Sequence, residues 1–371
     1  MSVAHSATDD VRRWVGLPIT ELDTPVLLLD GEASQRNIRR MAGFFHGKKA
    51  RLRPHFKNHK CPALARRQWE AGSVVGFTCA KLGEAEVLAA HGFDNLLLAN
   101  QVVGREKLAR LVRLATRIDI RVAVDHAEQL AWLSQAATEA RVTLGVLVEV
   151  DIGMGRCGVP PGQPAIELAR QAVALPGLRF VGLQAYEGHL VYADDPEERR
   201  RRTVEAFQGA LQTRRALEQE GIPVEVISGG SSSTYQTTGS IDGVDEIQAG
   251  SYATMDWRYA QLAPEFEVAL SVLTRVISRS AGRAVLDVGL KGATADFGPP
   301  RIKGNPDVEI PRFLSEEHCV VHRAPEWPIG QPLELIPSHC CTTCNLYRHM
   351  FVHEGGRVVD VWPIEASGRL T

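Results

Sequence analysis

The chain has 371 residues, enough for roughly two and a half domains of ~150 residues, and is 44% hydrophobic and 23% charged. Its 42 basic and 44 acidic side chains leave a net charge of −2, which excludes a protein built to neutralise nucleic-acid phosphates. No apolar run approaches the ~18 residues of a membrane span, and the seven cysteines are too sparse for a disulfide scaffold.

The N-terminal MSVAHSATDDVRRW lacks the apolar segment of a secretory signal. With few cysteines, this makes a cytoplasmic location the expectation. From residue 26 to 255 short apolar runs alternate with helix-period stretches. The runs are VLLLD (26–30), RLRPHFK (51–57), VGFTCAK (75–81), NLLLAN (95–100), IRVAVD (120–125), TLGVLVEVD (143–151), RFVGLQAY (179–186), VEVISGG (224–230) and DEIQAGSYA (245–253). Near-continuous apolar strands alternating with helices predict parallel βαβ units. Eight or nine repeats across about 230 residues predict an α/β fold of the closed (β/α)8 TIM-barrel kind. An open dinucleotide-binding sheet would place GxGxxG after its first strand, and LLLDGEAS has none.

From about residue 263 the runs FEVALSVLTRVIS, RAVLDVGL, VEIPRFL, LELIP and RHMFVHEGGRVVDVWPIE are separated by turn signals, without a helical period. They predict a mostly antiparallel β domain. The expected division is a barrel over 24–260 and a β domain made of 1–23 and 261–371.

Active sites of parallel barrels lie at the C-terminal ends of the strands. There the second run closes in Arg53-Pro54-His55-Phe56-Lys57-Asn58-His59-Lys60. A desolvated lysine at such a point is a nucleophile toward carbonyls; the alternative is a solvated basic loop. Later strand ends supply Gln101, Asp151, Arg156, Gln184 and Tyr186, with His189 beyond. The loop Ser228-Gly229-Gly230-Ser231-Ser232-Ser233-Thr234, then Gln248-Ala249-Gly250-Ser251-Tyr252, offers N–H and hydroxyl donors for a phosphate. Further on, Pro337-Ser338-His339-Cys340-Cys341-Thr342-Thr343-Cys344 sets an imidazole and a thiol two residues apart. On an extended strand both would face one way and suit a zinc-type ion with open positions for water and substrate; the alternative is a buried histidine beside inert cysteines. Cys340 would then face away, and no role is assigned to it or to Cys319.

The motifs LRPHFKNHK, CAKLGEAEVL, ANQVVG, VEVDIGMGRCGV, LQAYEGH, EIQAGSY, LDVGLK and LIPSHCCTT, in this order from Asp23 to Pro363, resemble the D-threonine aldolase / D-serine dehydratase family. These are fold-type III pyridoxal-phosphate (PLP) enzymes with an alanine racemase-like N-terminal barrel. The resemblance implies that Lys57 is the lysine to which PLP is bonded, that Gln101, Arg156 and Tyr186 line the cofactor ring, and that Gly229, Gly230, Ser231, Gly250, Ser251 and Tyr252 cradle its phosphate. It implies that His339 and Cys341 bind a divalent metal (Zn, Mn, Mg or Co), that Lys57, His59 and Tyr186 are catalytic, and that the enzyme is a homodimer. Which of His55, His59 and His189 acts as the neighbouring base stays open.

The implied reaction is retro-aldol cleavage of a D-3-hydroxy-amino acid to glycine and an aldehyde. The alternative is dehydration to a keto acid and ammonia. Weaker alternatives are an amino-acid racemase and a PLP-binding protein without turnover. Two features depart from the aldolase pattern: His339-x-Cys341 stands where aldolases carry His-x-Asp, and the Ser228–Thr234 loop is less glycine-rich. The barrel motifs resemble the aldolase branch, and the expectation follows them.

Overall fold

A computed structural model describes residues 11–311 and 314–371. Residues 1–10 of the expected β domain, and 312–313 within the VEIPRFL run, lie outside the described residues. Two compact units are present. One comprises Arg40–Lys57, Gln68–Gly250 and Arg369–Thr371; the other comprises the described residues up to Arg39, Asn58–Arg67 and Ser251–Gly368.

The first unit contains the expected eight parallel strands: β2 (Arg51–Leu52), β3 (Phe77–Cys79), β4 (Asn95–Leu98), β5 (Asp119–Val124), β6 (Leu144–Val150), β7 (Leu178–Ala185), β8 (Val226–Gly229) and β9 (Glu246–Ile247). They run in the order β2-β9-β8-β7-β6-β5-β4-β3. Parallel bridges Leu52–Val74 and His55–Thr78 join the two end strands. All seven residues of β6 are buried, as expected for strands covered on both faces. Leu97, Leu147, Val181 and Val226 pack together inside. Arg53 is 1% exposed and makes a two-pronged ion pair with Glu246, with both nitrogen–oxygen distances 2.7 Å. Such a buried charge persists only because it is fully paired.

Several strands end earlier than their apolar runs suggest. The run 51–57 is a strand only to Leu52, and Lys57 sits in the one-turn 3-10 helix Phe56–Asn58. Pro54 has no N–H to continue the ladder. The run 245–253 is a strand only over Glu246–Ile247, and Ser251–Ala253 is a 3-10 turn.

The second unit is a mostly antiparallel sheet. Its strands include β10 (Leu270–Ser280), β11 (Arg283–Leu286), β12 (Arg301–Ile302), β13 (Cys319–His322), β14 (Pro332–Ile336), β15 (His349–Glu354) and β16 (Arg357–Pro363). The expectation that 26–30 opens the barrel is corrected. This strand, β1 (Val26–Asp30), lies in the second sheet, antiparallel to β10 and parallel to β15. A short apolar run signals burial on both faces but not the partner strand, and here the partners lie more than 200 residues downstream. Leu22, Leu28, Leu273, Phe351, Val358 and Val361 form the core beside it.

Candidate active site

The C-terminal strand ends of the barrel unit surround a cavity of about 170 Å³, far above the ~15 Å³ that one water needs. Its lining includes His55, Lys57, Asn100, Gln101, Glu149, Arg156, Gln184, Tyr186 and Gln248. Four residues expected from the sequence, Lys57, Gln101, Arg156 and Tyr186, therefore meet at one place. The Lys57 Nζ lies 5.7 Å from the Tyr186 ring centroid and the Arg156 guanidinium carbon 5.3 Å, both within cation–π reach.

A carboxylate missed in the sequence organises this wall. Glu149 is 4% exposed and accepts from Gln101 Nε2 at 2.6 Å; Arg156 stands 3.6 Å away, and the Gln184 side chain is also hydrogen-bonded to it. Burial pushes its carboxyl above the usual range, against the pull of these partners. The readable signal was a glutamate inside the apolar run TLGVLVEVD, since a buried carboxylate requires partners. Gln184 is 1% exposed and its Oε1 is buried without a hydrogen-bond partner, leaving an acceptor in the cavity wall for a donor on a bound molecule.

His55 is held well below the usual imidazole value by burial and then by the charges of Lys57 and Arg156, so it is neutral at pH 7. The turn that presents Arg156 is shaped by Asp151, whose Oδ1 accepts the N–H groups of Gly153, Met154 and Gly155 at 3.0–3.1 Å. Burial opposes its ionisation, but these donors prevail and hold the carboxyl low.

The loop after β8 is organised from beneath by Glu187, fully buried and also missed in the sequence. Its Oε2 accepts the Gly230 N–H at 3.1 Å, and its Oε1 accepts the hydroxyls of Thr234 and Thr238 at 2.6 and 2.9 Å. The Ser231 N–H donates to Thr234 Oγ1 at 3.1 Å. The Gly230 amide is thus engaged by Glu187 and the Ser231 amide by Thr234, while the Ser231 and Ser233 hydroxyls are paired with each other at 2.9 Å. Gly229 admits no side chain, because a Cβ there would lie 1.8 Å from the Ala185 carbonyl oxygen. Gly250 ends the segment after β9, and Ser251 and Tyr252 are buried in the β unit's 3-10 turn.

In the β unit, His339 and Cys341 are not on an extended strand. His339 is the N-cap of the short helix Cys340–Cys344, which corrects the strand expectation. The turn is fixed by Asp256, whose Oδ2 lies 3.0 Å from His339 Nδ1 and accepts the Cys340 N–H at 3.0 Å. The His339 ring lies between Tyr259 and Phe297, with centroids at 5.7 and 5.1 Å. His339 and Cys341 are hydrogen-bonded to each other despite the helical turn. Burial opposes the imidazolium, but the Cys341 and Asp256 partners raise its pKa well above the usual value. Asn58 Nδ2 approaches Cys341 Sγ at 3.7 Å, its amide oriented by the Thr254 hydroxyl donating to Oδ1 at 2.8 Å. Among the described residues no cluster of three His, Cys, Asp or Glu side chains is arranged for a metal. His59 is fully buried in this unit, and its Nδ1 accepts the Cys61 N–H at 3.1 Å, which leaves Nε2 to carry the neutral ring's proton.

The sequence profile of the alanine racemase N-terminal domain matches residues 29–256, and that of the serine dehydratase domain matches 269–353. The chain is 39% identical to a D-threonine aldolase of Arthrobacter sp. over 363 residues, 95% of each chain. It is 36% identical to a 3-hydroxy-D-aspartate aldolase of Paracoccus denitrificans (strain Pd 1222), over 97% of this chain and 96% of that one. The chain belongs to the D-threonine aldolase / D-serine dehydratase family. Within this family, the crystal structure of D-threonine aldolase from Filomicrobium marinum is 39% identical and superposes with a TM-score of 0.92, covering 96% of this chain and 99% of that one. A D-threo-3-hydroxyaspartate dehydratase of Delftia sp. (strain HT23) is 30% identical over 87% of this chain and 92% of its own. A variant of D-threo-3-hydroxyaspartate dehydratase, described in a metal-free form, is 28% identical with a TM-score of 0.84, covering 93% and 98%.

Proposed function

We propose that this chain is a PLP- and divalent-metal-dependent lyase that cleaves D-3-hydroxy-amino acids by the retro-aldol route, giving glycine and an aldehyde. The observation that carries the reading is near-full-length identity of 39% and 36% to two aldolases, against 30% to a dehydratase. The His339-x-Cys341 pair does not reverse it, since a thiolate ligand is compatible with either bond cleavage.

The residues present fit the cofactor. Lys57 is the one lysine in the cavity lining, and the unpartnered Gln184 Oε1 calls for a donor there. Lys57 would bond PLP, with Gln101, Arg156 and Tyr186 along the ring and Gly229, Gly230, Ser231 and Gly250 toward the phosphate. The nitrogen–sulfur pair fits a zinc-type ion, and Asp256 on Nδ1 is the usual partner of a metal-binding imidazole; His339 and Cys341 would be the ligands. When bound, PLP supplies an electron sink at Cα and the ion Lewis acidity toward a hydroxyl oxygen.

The chain's own residues then position and exclude. Glu149 locks Gln101, Gln184 and Arg156 in one network, and neutral His55 is oriented by its Nδ1 facing the Lys57 main-chain N–H at 3.5 Å and by a ring hydrogen bond to the Thr78 backbone. Asp256 fixes the ring plane of His339. A homodimer in the cytoplasm belongs to the same proposal, resting on the family resemblance; light scattering tests the dimer.

The test is a parallel product assay on PLP- and metal-loaded protein given D-threonine and D-serine. Glycine and acetaldehyde from D-threonine support the reading. Pyruvate and ammonia from D-serine, with no glycine from D-threonine, overturn it.

A further inference from the structure

The helix Cys340–Cys344 carries a second thiol that neither cleavage chemistry uses: Cys344, three residues beyond Cys341 in Cys341-Thr342-Thr343-Cys344. Residues at this spacing share one face of a helical turn. Helix geometry sets their Cα atoms about 5 Å apart, inside the roughly 4.4–6.8 Å window of a disulfide. The two thiols differ in access: Cys341 is partly exposed, whereas Cys344 is fully buried. Cys340 takes no part, since its Sγ donates to the Met255 carbonyl at 2.9 Å.

The turn is held from outside the cysteines. Thr342 donates to Asp296, and the Thr343 hydroxyl donates to the His339 carbonyl at 3.1 Å. A small oxidant can reach the first thiol while the second waits behind it, which is the arrangement of an attacking and a resolving cysteine.

We propose that Cys341 and Cys344 form a reversible dithiol switch driven by hydroperoxides, in which disulfide formation withdraws Cys341 from metal binding. In the first step Cys341 Sγ attacks a peroxide oxygen; the S–O bond forms, the O–O bond breaks and an alcohol (or water) leaves, giving a sulfenic acid. In the second, Cys344 Sγ attacks Cys341 Sγ; the S–S bond forms, the S–O bond breaks and the hydroxyl departs as water with the Cys344 proton. Two thiols are oxidised, one peroxide is reduced, and a thiol reductant reverses the change by exchange. Because the thiolate is the metal-binding form of cysteine, the disulfide no longer serves as a ligand. The release of the ion rests on the assignment of Cys341 as a ligand in the proposed function; the disulfide itself does not.

The experiment uses the full PLP-loaded chain with zinc as the probe metal. It is treated with hydrogen peroxide, alkylated, digested and mapped by mass spectrometry, while a colorimetric chelator reads free zinc. The expected result is a peptide carrying unalkylated Cys341 and Cys344, lighter by two hydrogens than the dithiol, appearing in step with zinc release and reversed by dithiothreitol. In Cys344→Ala, zinc binds as in the wild type before oxidation, and dimedone then traps Cys341 as the sulfenic acid with no disulfide formed. Full alkylation of Cys344 after oxidation, or its pairing with the buried Cys61, overturns the switch. Undiminished zinc binding by reduced Cys341→Ser instead overturns the metal assignment and the release claim, while the disulfide map is read independently.

Discussion

Asp256 holds His339 through its Oδ2, 3.0 Å from the imidazole Nδ1, and its Oδ1 accepts the Tyr259 N–H at 2.8 Å. One carboxylate thus orients the imidazole and caps the helix Trp257–Leu262. In Asp256→Asn the side-chain oxygen can keep the cap, but the amide cannot accept at both positions. Metal affinity is expected to fall by about 10- to 100-fold with little loss of folded structure. Zinc titration followed by thermal denaturation checks this, and unchanged affinity would remove Asp256 from the proposed metal site.

Glu149 is the hub of the cavity wall. In Glu149→Gln one oxygen becomes an amide donor that cannot accept from Gln101 or Gln184, and Arg156 loses its counter-charge. A misplacement of about 1 Å at the proposed reacting centre costs about 10²-fold in kcat/KM. Steady-state kinetics beside a denaturation curve distinguish this from unfolding; wild-type kinetics would show that the network has no positioning role.

His55 makes stability depend on pH in the apo-protein. Its pKa is depressed by burial and by the Lys57 and Arg156 charges, so below about 6.5 the unfolded chain takes up a proton that the native chain refuses. The contribution is fully present above that value and is lost on acidification toward the native pKa, by up to about 1.4 kcal/mol per pH unit. His189, His349 and His353 are shifted the same way, first by burial. Urea midpoints at descending pH should fall less steeply in His55→Asn than in the wild type; parallel curves would rule out His55 as a contributor.

Replacing the thiol tests the ligand pair by metal preference. Cys341→Asp exchanges a soft donor for a hard one, which shifts selectivity from zinc toward manganese and magnesium. Competition titrations read the shift, and an unaltered preference order would mean that residue 341 does not ligate.

Much of this was legible in the sequence because buried parallel strands leave uninterrupted apolar runs. The cavity residues Lys57, Gln101, Arg156 and Tyr186 were found because barrel chemistry sits at strand ends. The sheet that receives β1 was not legible, since its partners are distant in sequence and an apolar run does not name them. Asp256 was hidden for a related reason: it meets His339 across 83 residues. Glu149 and Glu187 were masked by their surroundings, although a carboxylate beside apolar strand residues is itself the signal of a buried network. The local shape of His339–Cys341 is not legible in the sequence, because two-residue spacing puts both side chains on one face only on a strand, and here Asp256 fixes a helical turn.

The most direct measurement gives the PLP- and metal-loaded protein 3-hydroxy-D-aspartate, the amino acid in the name of an aldolase relative and, in its threo form, of a dehydratase relative. Scission of Cα–Cβ yields glycine and glyoxylate, whereas loss of the β-hydroxyl yields oxaloacetate and ammonia. Glycine and glyoxylate in equal amounts are the expected products. Oxaloacetate and ammonia as the main products would contradict retro-aldol cleavage and make the His339-x-Cys341 pair the better guide to the chemistry.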